Sequence, residues 1–334
     1  MPSPERDPRL EALEADALRA EIDARGAAPA AGPAGLVALP PGDPSLAAIP
    51  TADLVEALRD KQRVIYGVDD RKDHYEIADA KVAANAEAVA ALFDAAQVVE
   101  VGDGTVRLTL KPFKTEYRLC DDEPFAKQPC GAFCSGFLVG PDLVATAGHC
   151  VNPDYLAQVD RVRFVFGFRM KDVFTATVVV PAGDVYRGKA IVGQVLTTTA
   201  SDWALVRLDR PVAGRVPLEL RRSGAVAEGA GVYVLGHPCG LPLKYAPGAT
   251  VRDNDHPAFF RANLDTYGGN SGSPVLNDAH EVEGILVRGD RDFVSVGGCQ
   301  RSVVVPTTGS RGEDVSRVSE WLAHLGGSPL TPGP

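Results

Sequence analysis

From residue 64 onward the sequence is a succession of short apolar runs, each broken within a few residues by Gly, Pro or Asp. They include TVRLTL, AFCSGFLV, LVATAG, VRFVFGF, FTATVVV, WALVRL, GVYVLG, GSPVLN, VEGILVRG and RSVVVP. Runs this brief and this rich in Val, Leu and Phe read as strands, and their near-even spacing between turn formers predicts a barrel or sandwich. Composition points the same way. The 334 residues hold 34 Gly and 26 Pro but only 7% aromatics, which favours many turns and disfavours a helical bundle. Hydrophobic residues at 45% and charged residues at 23% are those of a globular chain, and this length corresponds to about two domain-sized units.

Several function classes are excluded early. The formal net charge of −10 leaves no long basic face for nucleic acid. No run of about 18 apolar residues is present, so no transmembrane helix is expected and no membrane partner is read. The N-terminus, MPSPERDPRLEALEADALRAE, is acidic and lacks the apolar stretch of a secretory signal. The cysteines at 120, 130, 134, 150, 239 and 299 pull the other way, since an even number suits disulfides in a secreted or periplasmic setting. Localisation is therefore left open, the cytoplasm included.

Three regions follow along the chain. Residues 1–63 form an N-terminal extension, partly helical. Within it, Leu10, Leu13, Leu18 and Ile22 fall at helical spacing over 9–25, and Ala, Pro and Gly fill a linker over 26–50. Thr51 is placed to cap a second short helix. Residues 64–328 form the strand-rich domain, with an alanine-rich patch at 79–97 that suits helix or extended chain. In EDVSRVSEWLAHLG, Val315, Val318, Trp321, Leu322 and Leu325 lie at helical spacing before a Gly and predict a closing C-terminal helix. Residues 329–334 are read as a disordered tail.

Three segments carry chemistry: LVATAGHCV with His149, SDWALVRL with Asp202, and DTYGGNSGSPV with Ser271. Taken singly, each residue also fits a role in the core, in a cap or in a loop. Together, in the order His, Asp, Ser and each beside a strand, they resemble the trypsin- and chymotrypsin-like serine peptidases. The similarity is greatest to the bacterial branch that includes the glutamyl endopeptidases, and it covers roughly Val64 to Gly326. It implies an all-β fold of two antiparallel six-stranded barrels, with the predicted C-terminal helix and N-terminal extension added. It also implies the roles. A serine hydroxyl needs a neighbouring base to become a nucleophile. His149 is that base, Asp202 orients it, and the N–H groups of Gly269 and Ser271 form the oxyanion hole. By the same resemblance Cys134 and Cys150 form a disulfide, which leaves three connectivities among Cys120, Cys130, Cys239 and Cys299. A metal reading of these cysteines with His149 lacks the C-x2-C pair of zinc sites, so neither metal nor organic cofactor is expected.

The sequence also departs from the family. Asn270 precedes the serine, where animal trypsins carry an Asp that pairs with a newly freed N-terminus. GNSGSP is the form of the bacterial branch, and VIYGVDDR, directly after Arg63, resembles the start of its mature domain. Residues 1–63 thus read either as a pro-segment released by cleavage after Arg63 or as a permanent arm. Asp265, six residues before Ser271, falls where trypsin has the acid of its primary pocket. With Thr266, Leu286 and Arg288 it would bind substrate and favour Arg or Lys before the scissile bond. Leu286 stands where glutamyl endopeptidases have His, which disfavours glutamate preference, and Arg288 either fills the pocket or pairs with Asp265. His237 in GHPCGLP borders the cleft or shapes its loop. The function expected is a monomeric serine endopeptidase acting on proteins or peptides. The alternative is a peptide-binding module of the same fold without turnover.

Overall fold

The computed structural model describes residues 65–67, 69–154, 157–197, 201–288, 292–307 and 312–326, with isolated positions at 9, 10, 13, 17, 21, 46, 49 and 54. The linker apart from Leu46 and Ile49, the Thr51 cap, the Arg63–Val64 boundary and the tail fall outside these residues. Of the N-terminal helices, Arg9, Leu10, Ala17, Glu21 and Leu54 are described as helical.

Most of the apolar runs pair into two closed barrels, while TVRLTL and FTATVVV pair with each other in a separate sheet. In the first, β1 (Val89–Asp94), β2 (Cys134–Gly140), β3 (Leu143–Thr146), β4 (Val162–Phe166), β5 (Val185–Leu196) and β6 (Asp202–Leu208) run in the order β4–β5–β6–β3–β2–β1 and return to β4. The second comprises β7 (Gly231–Gly236), β8 (Lys244–Asp253), β9 (Phe259–Ala262), β10 (Pro274–Asn277), β11 (Val282–Arg288) and β12 (Glu313–Arg317). Its order is β7–β10–β11–β12–β9–β8, closed by antiparallel pairing of β7 with β8. Closure removes the unpaired edges that open sheets must otherwise protect. Phe137, Phe164, Phe166 and Leu205 fill the first core, and Val234, Phe260, Val275 and Val315 the second. Each such side chain stabilises the fold by about 1.5–3 kcal/mol.

The alanine-rich patch uses both conformations that its composition allows. Asp79 caps α1 (Ala80–Ala86), its Oδ1 accepting the N–H groups of Lys81 and Val82, and the chain then extends into β1. Upstream, Ile65–Tyr66 pairs in parallel with Val304–Val305, and Lys72–Asp73 adds an outer strand to β8. Among the described residues, no helix is long and apolar enough to cross a membrane.

The C-terminal segment departs from expectation. Glu313–Arg317 is not helical but forms β12, which joins β9 to β11 and so completes the second barrel. Two single turns of 3-10 helix follow, Val318–Glu320 and Leu322–His324. The three-residue spacing of Val315, Val318 and Trp321 suits a 3-10 turn as well as an α-helix, and sheet closure outweighs local propensity before it. Trp321 is fully buried and packs edge-on to Phe137, so these turns seal the first barrel.

Candidate active site

Strand register brings His149 and Asp202 together. β3 pairs antiparallel with β6, Thr146 facing Ala204, so the end of one strand lies beside the start of the other. His149 sits in the 3-10 turn Gly148–Val151 that follows β3, and Asp202 opens β6. Both carboxylate oxygens face His149: Oδ2 lies 2.6 Å from Nδ1, and Oδ1 accepts the His149 main-chain N–H at 3.1 Å. The Asp202 N–H donates to Ser316 Oγ at 3.1 Å. Burial alone would push the Asp202 carboxyl up, but His149, and Arg288 behind it, bring it below the usual carboxylate range.

Ser271 comes from the second barrel, in the turn that leads to β10, and one short piece of β2 holds it near His149. The Ser135 N–H donates to the Ser271 carbonyl at 2.8 Å, while the adjacent Cys134 is disulfide-bonded to Cys150, next to His149. In the chain-entropy picture a bridge over a loop this short contributes about 3 kcal/mol. Gly272 lies against the same strand with φ +88, and a Cβ there would meet the Ser135 carbonyl oxygen at 2.0 Å. Only glycine fits, for both reasons. Gly269 also has positive φ, +79, and among the described residues its N–H meets no main-chain acceptor.

Asn270 is fully engaged within the chain. Its Nδ2 donates to Thr266 Oγ1 at 2.5 Å, and its Oδ1 accepts from Ser273 Oγ at 2.9 Å. The amide thus ties the two ends of the 266–273 turn, whereas a carboxylate at this position could not donate to Thr266. Asp265 is buried, and its Oδ1 accepts the Tyr66 main-chain N–H at 2.7 Å. Burial pushes its carboxyl up to about 7, against the lowering effect of that bond and of Arg71.

Leu286 takes part mainly through its backbone. Its carbonyl accepts the Gly272 N–H at 2.8 Å and its N–H donates to Ser273 O at 2.9 Å, while its side chain joins the second core. Arg288 lies on the Asp202 side: Nη1 donates to Thr197 O at 2.8 Å, and Nε is 3.3 Å from Asp314 Oδ2. Asp314 is its cross-strand neighbour on β12, which accounts for its direction away from Asp265. His237 is buried, with Nδ1 2.9 Å from Leu241 O and its N–H on Ser135 Oγ at 2.9 Å. Desolvation pulls it down to about 4, so it is a neutral support of its loop at physiological pH.

Sequence reasoning missed three contributors. Ser135 carries no motif, and Asp292, whose Oδ2 accepts the Gly268 N–H at 2.6 Å, lies in an otherwise polar loop. Arg71 reaches Tyr267 from nearly 200 residues away, and no local pattern records that.

Cys120 and Cys299 form a second disulfide, tying the loop after α2 (Phe113–Tyr117) to the hairpin Phe293–Ser302. The three sidechains Cys134, His149 and Cys150 cluster as potential metal donors, but with both sulfurs in the disulfide only the imidazole has a donor to offer. Cys130 and Cys239 are buried thiols. Burial raises Cys130 to about 12 and Cys239 well above its ordinary value. Neither is expected to react with a thiol reagent in the folded protein, whereas both should react on denaturation; rapid labelling of either in the native state would contradict this.

Residues 134–285 match the family model described as a trypsin-like peptidase domain. That stretch, which runs from the start of β2 into β11, is similar to a trypsin-like peptidase domain. No curated protein matches it. Among solved structures it is similar to a Glu endopeptidase (17% identity, 78% of this chain and 97% of that one, TM-score 0.45). It is also similar to the active form of the Rv3671c protease from M. tuberculosis (17%, 75% and 87%, TM-score 0.42). A serine endoprotease from Yersinia pestis is a further likeness (13%, 72% and 62%, TM-score 0.43).

Proposed function

We propose that this protein is a serine endopeptidase in which Ser271 attacks the scissile carbonyl and forms an acyl-enzyme. The observation that carries this reading is the two-point grip of Asp202 on His149, set beside a Ser271 turn fixed to the same strand as the His149 disulfide. In this reading His149 takes the Ser271 proton through Nε2 and returns it to the leaving amine. Asp202 keeps the imidazole proton on Nδ1 and stabilises the imidazolium. The Gly269 and Ser271 N–H groups receive the charge that develops on the carbonyl oxygen, each donor contributing about 2.7–4 kcal/mol to the transition state.

The test has two parts. A serine-directed acylating reagent should add a single adduct, found on the Ser271 peptide by mass spectrometry, and a mixed peptide library should yield new N-termini. An unmodified Ser271 together with an uncut library would leave the peptide-binding alternative standing.

Arg or Lys before the scissile bond is the proposed preference, with Asp265 as its acceptor and Thr266 beside it. An Asp265 that titrates near 7 is neutral below that pH and charged above it. The kcat/KM for Arg peptides, divided by that for otherwise identical Leu peptides, is therefore expected to rise several-fold between pH 6 and pH 8. The ratio cancels any pH dependence that the two substrates share. A flat ratio would mean that Asp265 serves the Tyr66 main chain and not the substrate.

A further inference from the structure

Asn270 cannot form the ion pair by which a freed terminal amine orders this turn in animal trypsins; its amide ties Thr266 to Ser273 and Asp292 accepts the Gly268 N–H, and further contacts reach the turn from the start of the domain. Residues 65–67 and 69–73 lie beneath it as a strap. Ile65 donates to Val303 O at 3.0 Å and Gly67 to Val305 O at 2.7 Å, which fixes the first anchor. The Tyr66 N–H then meets Asp265 at 2.7 Å. Next, Arg71 passes under Tyr267. Its guanidinium is gripped by Asp69 at 2.7 Å and 2.6 Å, its side chain is wholly buried, and its Cζ lies 3.8 Å from the centre of the Tyr267 ring. Finally Asp73 is ion-paired with Lys244, and Gln128 donates to its Oδ2 at 2.7 Å.

Two of these contacts fall on the segment that leads to the oxyanion donors. Asp265 begins it, and Tyr267 is two residues before Gly269; the Tyr267 carbonyl also accepts the Asn270 N–H at 3.2 Å. A planar cation on a ring face is attracted by the ring quadrupole, the more so when desolvated, and Lys, a compact point charge, cannot both stack and bridge Asp69. The contact made by Tyr66 uses an internal peptide N–H, not an amine.

We infer that Arg71, through Tyr267, and Tyr66, through Asp265, are positioning residues for the oxyanion turn. They replace the terminal-amine contact, so the site is competent with residues 1–63 still attached. This rests on the serine endopeptidase reading, but hydrogen exchange tests the positioning without requiring turnover.

The experiment uses the full-length chain as wild type, Arg71→Met, Arg71→Lys and Tyr267→Leu, together with a Lys61→Ala, Arg63→Ala double variant. In folded Arg71→Met and Tyr267→Leu, the peptide covering 265–273 should exchange at least about tenfold faster, with β1, β3 and β6 unchanged. Arg71→Lys should fall between them and wild type. On the best-cut library peptide, kcat should drop about tenfold or more with KM within about threefold, as expected when transition-state donors are misplaced. The double variant, shown intact by mass, should be acylated by the serine reagent at a rate within about twofold of the wild-type chain. Unchanged exchange at 265–273 in both strap variants would overturn the inference. So would a requirement for release of residues 1–63. Should Arg71→Met fail to fold, Tyr267→Leu and Arg71→Lys carry the same comparison. If wild type neither cuts peptide nor is acylated at Ser271, the endopeptidase reading falls, and the exchange data still decide whether the strap holds the turn.

Discussion

Replacing Ser271 by Ala is expected to lower kcat by about 10⁶-fold, to the background of uncatalysed hydrolysis assisted only by binding and the oxyanion donors. The substitution removes one oxygen and leaves the turn intact. The contact of the Ser271 carbonyl with Ser135 is a main-chain bond, and the ties of Asn270 to Thr266 and Ser273 do not involve the Ser271 side chain. Thermal stability should therefore stay within a few degrees of wild type, and peptide affinity should be retained. The two proteins, assayed side by side for turnover and for equilibrium peptide binding, separate the competing functions. Loss of turnover with retained binding supports nucleophilic catalysis at Ser271. Equal binding with no turnover in either protein describes a peptide-binding module. Equal turnover in both would place the chemistry elsewhere in the chain.

What the sequence discloses and what it hides divide along chain separation. The segments around His149, Asp202 and Ser271 are legible because each is a strand end or turn with its own local pattern, and their order is a property of the chain. The strands are legible for the same reason, since short apolar runs between turn formers read as strands, but the runs alone left barrel and sandwich open, and the two barrels were implied only by the resemblance. By contrast, the grip of Tyr66 on Asp265 spans 199 residues and the bridge from Cys120 to Cys299 spans 179. Neither leaves a mark on its neighbours in sequence, and the second was one of three possible connectivities. The segment after residue 312 misleads for a physical reason. Val315 has a helical partner spacing with Val318, yet β9 and β11 each need a neighbour, and β12 meets both needs at once. Arg288 is a related case. Its place at the end of β11 can be read from the Gly-Ile-Leu run, but its direction is decided by Asp314 across the strand.

The Asp202→Asn variant should retain the fold and lose about 10⁴-fold in kcat at neutral pH, for a reason visible in the two contacts that Asp202 makes. A carboxylate accepts at both oxygens, and here one accepts the His149 main-chain N–H while the other faces Nδ1. A carboxamide has only one acceptor. The main-chain N–H cannot become an acceptor, so it claims the amide oxygen and turns the NH₂ group toward Nδ1. The imidazole can adapt by moving its proton to Nε2, and that leaves no lone pair to receive the Ser271 proton. Side-chain volume and the Asp202 N–H bond to Ser316 are preserved, so the melting temperature should change far less than the rate. Two measurements check this together: kcat/KM on the best library peptide, and the protonated nitrogen of His149 by ¹⁵N NMR. A proton on Nδ1 in wild type and on Nε2 in the variant, with the expected loss of rate, assigns Asp202 to orienting the base. Activity within about tenfold of wild type, with the proton still on Nδ1, would remove Asp202 from that role and leave its contacts with His149 as structural ones.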